Sequence, residues 1–124
     1  MFMKTTDIQK KYLFYHSHRE WNGVPIMAAN MDTTGTFAMA ESMARMGHIC
    51  CLHKHYEVRD LISFYNEYNI SALQYIWYSM GMKPDEFIKL KQFHTDSGLQ
   101  PNICIDVANG YSEGYVIVTG KQDL

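Results

Sequence analysis

The chain has 124 residues, 47% hydrophobic and 19% charged, enough apolar material for the core of one ordinary domain and too much for a disordered polypeptide. Eleven Lys+Arg against thirteen Asp+Glu give a formal net charge of −2, without the basic excess that a nucleic-acid partner demands. The mean hydropathy is −0.27, and no uninterrupted apolar run reaches the roughly 18 residues of a membrane-crossing helix. Met1-Phe2-Met3-Lys4-Thr5-Thr6-Asp7 meets an acid too early for a secretory signal, so a cytoplasmic location is expected. The three cysteines, Cys50, Cys51 and Cys104, are odd in number, lack C-x-x-C spacing and sit in apolar runs. That describes buried thiols behaving as small hydrophobes, not nucleophiles.

In chain order, Tyr12-Leu13-Phe14-Tyr15-His16 is aromatic enough for a strand but runs into polar His16-Ser17-His18-Arg19-Glu20. Residues 1–20 are therefore expected to be an N-terminal appendage and residues 21–124 the domain proper. Gly23-Val24-Pro25-Ile26-Met27-Ala28-Ala29 predicts a first strand buried on both faces, with Pro25 tolerated near its start. Phe37, Ala40 and Ala44, with Met39, Met43 and Met46 alongside, predict a helix capped by Thr33 or Thr34 and ended by Gly47. A methionine stripe of this kind is ordinarily core. His48–Leu52 is the second strand; Val58, Leu61, Ile62 and Tyr65 mark the next helix, and Leu73–Tyr78 the third strand. Pro84 with Asp85 and Glu86 opens a third helix through Phe87, Leu90 and Phe93, and Asn102–Val107 is the fourth strand. Strand starts recurring every roughly 25 residues are the βα units of a parallel sheet.

Each polar cluster then falls at the carboxyl end of a strand: Asn30-Met31-Asp32, His53-Lys54-His55, Ser79-Met80-Gly81, and Asp106 with Asn109-Gly110. In parallel α/β folds these ends share one ligand-binding side. Since a closed (β/α)8 barrel takes about 250 residues, this chain is either a small open sheet or part of a barrel. Lys54 and Asp106 form the best acid–base pair on offer, and a structural ion pair or two solvated side chains is the plain alternative. His53 and His55 share a face, but no third metal ligand at plausible spacing accompanies them. Ser79-Met80-Gly81-Met82 leads into a helix N-terminus suited to an anion, on the weak signal of one glycine.

Three segments carry a resemblance: Gly23–Phe37 with its Asn30-Met31-Asp32, His53-Lys54-His55-Tyr56, and Asp106-Val107-Ala108-Asn109-Gly110-Tyr111-Ser112-Glu113. In order and spacing they resemble GMP reductase, over about Tyr12 to Tyr115. The sister family, IMP dehydrogenase, shares the Asn-Met-Asp segment. The resemblance implies a TIM barrel, here its first four βα units, that reduces GMP to IMP and ammonia with NADPH. In that chemistry a cysteine attacks the purine, ammonia leaves and hydride resolves the thioimidate. It implies catalytic roles for Lys54 and Asp106 and cofactor contacts for Lys54, Ser79, Gly81, Asp106, Val107 and Ala108. Purine contacts fall to Asn30, Met31 and Asp32, and the expected assembly is a homo-oligomer, a tetramer in the family.

The family's cysteine loop, monovalent-cation (K+) loop, phosphate clamp and Thr-Glu flap find no counterpart here. Val116–Leu124 also departs from the amphipathic helix expected, and Ser79-Met80-Gly81-Met82 from the usual Ser-x-Gly-Thr. The chain thus reads as the first half of such an enzyme, inactive by itself. A non-catalytic half-barrel that assembles with other chains and an IMP dehydrogenase-like relative are the alternatives.

Overall fold

The computed structural model describes residues 10–15, 18, 20–68 and 70–108. The leading Met1–Asp7 stretch, His16, the Asn109–Glu113 part of the third segment and the Val116–Leu124 tail lie outside the described residues. The elements, in order, are strands β1 (Lys10–Leu13), β2 (Glu20–Gly23) and β3 (Met27–Ala28), helix α1 (Phe37–Arg45), β4 (Ile49–Leu52), α2 (Val58–Asn66), a single turn α3 (Ile70–Leu73), β5 (Ile76–Met80), α4 (Pro84–Ser97) and β6 (Asn102–Ile105).

β3, β4, β5 and β6 form one sheet in that order, and all three pairings are parallel. A doubly wound sheet reverses its strand order at a switch point, whereas this one never does. The sequential order is that of a (β/α) barrel, and four strands supply part of its wall without closing it. Among the described residues no helix is long and apolar enough to cross a membrane.

Alternation divides the sheet into two faces. Cys50, Leu52, Ile76, Tyr78 and Met80 point to the helical side, where they pack with Ala40 and Met43 of α1, Leu61, Phe64 and Tyr65 of α2 and Phe93 of α4. Tyr65 and Tyr78 meet the Phe93 ring at centroid distances of 5.2 and 5.8 Å. By register Cys51, Trp77, Ser79 and Cys104 occupy the other face. Every residue of β4 is buried, in keeping with its near-continuous apolar sequence.

The first parallel strand corrects the expectation of burial on both faces. Ile26 and Met27 are 46% and 41% exposed, because among the described residues β3 pairs only with β4. Nor is β5 where the apolar pattern predicts it. Ile70–Leu73 forms a helical turn, Tyr75 N donates to Ala72 O, and the strand starts at Ile76 and runs through Ser79 and Met80. Thr36, not Thr33 or Thr34, caps α1, its Oγ1 accepting from Met39 N at 3.2 Å. Gly47 ends that helix as expected, with φ 73°, while Met46 is exposed.

β1 and β2 pair as an antiparallel hairpin that straddles residue 20 and that the sequence pattern does not announce. Trp21 sets its ring edge-on to Tyr75 at 5.4 Å and donates Nε1–H to Val24 O; Phe14 meets Trp77 at 5.6 Å. These contacts fall at the start of β5, away from the carboxyl ends of the parallel strands.

Tyr65 is buried, yet its hydroxyl has no hydrogen-bond partner among the described residues, and burial holds its proton well above the usual phenol range. An unmatched buried hydroxyl costs about 1–3 kcal/mol. Tyr65→Phe should therefore leave stability unchanged or raise it by up to about that amount, while Tyr65→Ala should cost about 3–5 kcal/mol as a core cavity. Urea titration of the two variants checks this; a clear loss in Tyr65→Phe would mean that the hydroxyl is satisfied.

Candidate functional site

The parallel order brings the carboxyl ends of β3, β4, β5 and β6 to one rim, and the side chains there are connected. Asn30, just after β3, donates from Nδ2 to Ser79 Oγ at 2.8 Å and to Asp106 Oδ2 at 3.0 Å. One amide thus ties the first strand end to the third and the fourth. Ser79 is itself buried in β5, and Asp106 N donates to Met80 O at 2.8 Å, continuing the β5–β6 ladder one residue beyond β6. Asp106 keeps an exposed carboxylate; Val107 and Ala108 follow it, half-buried and exposed.

The loop after β4 is fixed from three directions. His53 N donates to Gly35 O at 2.9 Å, Lys89 Nζ of α4 donates to Lys54 O at 2.9 Å, and His53 Nδ1 accepts from His55 N. The His53 ring stacks on Tyr56 at 4.1 Å, and Tyr56 stacks on Phe37 at 3.7 Å. Tyr56 Oη also accepts from Phe37 N at 3.0 Å, so this residue both supports the histidine and satisfies the first turn of α1. Gly35 is required by close approach: a Cβ there would collide with the carbonyl oxygen of Cys51. The loop carrying Asn30, Met31 and Asp32 is thereby pressed against the end of β4, leaving Met31 61% exposed.

Of the residues singled out in sequence, Asn30, Ser79 and Asp106 are brought into direct contact. Lys54 is not joined to Asp106 by an ion pair among the described residues; its Nζ lies 3.9 Å from Glu86 Oε1. Asp32 faces the next loop, with Oδ1 3.3 Å from His55 Nε2. Ser79 and Met80 lie within β5, so the loop into α4 is only Gly81-Met82-Lys83. The anion expected at that helix N-terminus has a resident competitor: Glu86 Oε2 accepts from Lys83 N at 3.0 Å. The same carboxylate would lie 2.6 Å from a Cβ at position 81, so the absence of a side chain on Gly81 gives it room.

Glu86, Lys89 and Tyr56 are the residues that sequence reasoning missed as organisers of the site. Glu86 was visible only as the third residue of a Pro-initiated helix, a position from which a glutamate reaches back to the cap. Among the described residues no three His, Cys, Asp or Glu side chains cluster as metal ligands.

On the inner face Cys51 and Cys104 are hydrogen-bonded to each other across β5. Donation from Cys51 lowers the Cys104 thiol below its ordinary range and raises that of Cys51, while burial pushes Cys50 up to about 11. Cys104 is also the least buried of the three. In the folded protein at neutral pH, iodoacetamide should label Cys104 first, with Cys50 and Cys51 lagging at least tenfold by peptide mass mapping; uniform labelling would refute this.

His53 titrates below its ordinary value, chiefly because burial disfavours the charged ring. The unfolded chain, with His near 6.5, then binds more protons than the folded one just below that pH. The stabilisation from the neutral stacked ring is complete above about pH 6.5 and is lost as pH falls through the lowered folded value. His53→Gln should flatten this part of the pH–stability curve, measured by thermal melts from pH 7.5 to 5; an unchanged slope would exclude His53 as its source.

No family model matches the sequence. Individual proteins do. A GMP reductase of Escherichia coli O81 (strain ED1a) is 40% identical over 115 residues, covering 93% of this chain and 33% of that protein. The GMP reductases of Buchnera aphidicola subsp. Baizongia pistaciae (strain Bp) and Citrobacter koseri are each 41% identical over the same extent. The chain spans about a third of the length of the curated relatives it matches. Among solved structures, the fold is shared with inosine 5′-monophosphate dehydrogenase from Legionella pneumophila, at a TM-score of 0.66 and 21% identity over 87% of this chain and 31% of that one. Over 93% of its own length the chain is thus similar to one third of GMP reductase, and it shares its fold with part of an IMP dehydrogenase.

Proposed function

We propose that this chain carries the cofactor-side part of a GMP reductase site, in an oxidoreductase that converts GMP to IMP and ammonia with NADPH in the cytoplasm. The observation that carries the reading is the bidentate use of Asn30: its amide holds Ser79 and Asp106 together on the rim where the resemblance locates the reaction. Support comes also from 40% identity to GMP reductases across nearly the whole chain.

The donor set suits a dinucleotide. Lys54 offers a half-exposed ammonium for a phosphate or a developing negative charge. Asp106 has one oxygen engaged by Asn30 and keeps acceptor capacity for a ribose hydroxyl or an amide N–H. NADPH, when bound, supplies the hydride. Within this reading Lys54 provides a proton or positive field at the departing amine, and Asp106 orients the groups around it. Release of Lys54 from Glu86 is inexpensive, since the contact is long at 3.9 Å and the lysine end of the pair is half-exposed. Ser79, Gly81, Val107 and Ala108 border the cofactor, and Asn30, Met31 and Asp32 border the purine. The reading assigns no residue here to the family's monovalent cation.

None of the three cysteines lies on a loop: Cys50 and Cys51 are enclosed in β4, and Cys104 lies within β6, in register with Ser79. The 124-residue chain alone should therefore bind NADPH without consuming it when GMP is added. Energy transfer from tryptophan to the reduced nicotinamide reads the binding, and absorbance at the nicotinamide band reads the consumption. Lys54→Met and Asp106→Asn should each weaken NADPH about tenfold, or ~1.4 kcal/mol. Absence of NADPH binding, or affinity indifferent to both substitutions, would overturn the assignment of these residues.

A further inference from the structure

We propose that Glu86 is a positioning residue for Lys54, and that Gly81 serves the site by leaving the space in which the Glu86 carboxylate stands. The inference deepens the reading of Lys54 as a group that meets the nucleotide and takes its functional meaning from it; every contact it uses lies among the described residues.

One turn of α4 holds Lys54 at both ends. Lys89 Nζ donates to the Lys54 carbonyl oxygen at 2.9 Å, which fixes the main chain of the loop after β4. Glu86, three residues earlier on the same helix, sets Oε1 3.9 Å from Lys54 Nζ. The glutamate side chain is 16% exposed against 42% for the lysine, so the carboxylate is the fixed member of the pair and the ammonium the movable one. Glu86 Oε2 is tethered separately: it accepts from Lys83 N at 3.0 Å, as a third helical residue reaching back to the cap does. One oxygen thus anchors the carboxylate to its own helix while the other faces Lys54. The same carboxylate also favours the charged form of Lys89, so Glu86 acts on both lysines that bear on the loop.

Gly81 completes the arrangement. Its φ is not positive, unlike those of Gly23, Gly47 and Gly98, so the backbone at this position tolerates a side chain. The obstacle is Glu86. A Cβ at position 81 would stand 2.6, 3.1 and 3.2 Å from Glu86 Oε2, Oε1 and Cδ, and these are its three nearest atoms. A glutamate turns about three bonds and can yield, so alanine at 81 would displace the carboxylate rather than disrupt the end of β5. Gly81 therefore acts on Lys54 through Glu86.

A carboxylate beside an amine favours the ammonium and competes with any other anion for it. Glu86→Gln separates this role from capping, because a glutamine oxygen still accepts from Lys83 N.

The test is competitive acetylation of the folded 124-residue chain with trace acetic anhydride at fixed pH, read by peptide mass mapping with the exposed Lys91 as internal standard. Only the unprotonated amine reacts, so Glu86→Gln and Gly81→Ala should each raise labelling of Lys54 about threefold, within the range of a partly exposed ion pair. Glu86→Asp, which keeps the charge, should restore most of the parent rate. Gly81→Ala introduced into Glu86→Ala should add nothing, since no carboxylate remains to be displaced. In the energy-transfer assay, Glu86→Gln should tighten NADPH about threefold, because a competitor for Lys54 and a charge of the cofactor's own sign are both removed. Labelling of Lys54 indifferent to Glu86→Gln, a Gly81→Ala effect that persists in Glu86→Ala, or NADPH bound but not tightened by Glu86→Gln would overturn the proposal. Labelling that responds as stated in a chain that binds no NADPH would uphold the positioning role and strike the nucleotide reading instead.

Discussion

Parallel pairing in chain order forces each connection between β3, β4, β5 and β6 to cross the sheet through helical structure, and this one requirement arranges the rest of the molecule. It places α1, α2 and α4 on one face, where Ala40, Met43, Leu61, Phe64, Tyr65 and Phe93 meet the alternate residues of the strands. It sends the intervening residues, Cys51, Trp77, Ser79 and Cys104, to the opposite face. It also gathers every βα loop at one rim, so residues far apart in sequence share a surface without any local signal connecting them.

Within that rim two sets of contacts divide the labour. The Asn30 amide links the ends of β3, β5 and β6 through Ser79 and Asp106. The loop after β4 is supported instead by packing and by α4: Tyr56 stacks between His53 and Phe37, Lys89 holds the Lys54 carbonyl, and Glu86 stands near the Lys54 ammonium. Rigid aromatic support beneath and a loosely paired cation above suit a group that must meet a ligand. A buried ion pair would have to be broken at a cost of several kcal/mol before it could serve.

The alternative anion-binding feature suggested by the pattern is muted for a comparable reason. A helix N-terminus attracts an anion through its free N–H groups and dipole, and in α4 a side chain of the same helix reaches the Lys83 N–H first. Local capping thus competes with ligand binding at this position, and the polar rim rather than the helix end is left to make contact with solutes.

Periodicity and punctuation alone settled the class of fold: apolar runs at βα spacing, Pro84 and Gly47 at helix boundaries, and polar clusters after the strands are local features with local causes. The same reasoning located Asn30, Lys54, Ser79 and Asp106 on one side of a sheet. Partnership was decided elsewhere. Lys54 faces Glu86 rather than Asp106, and Asn30 rather than Lys54 holds the aspartate, because side-chain reach depends on how far neighbouring strands are displaced along one another. The β1–β2 hairpin and the helical turn ahead of β5 also follow from tertiary contacts, since Trp21 against Tyr75 is a long-range fact. Sequence pattern specifies which face of an element is apolar; only the assembled sheet specifies what stands opposite it.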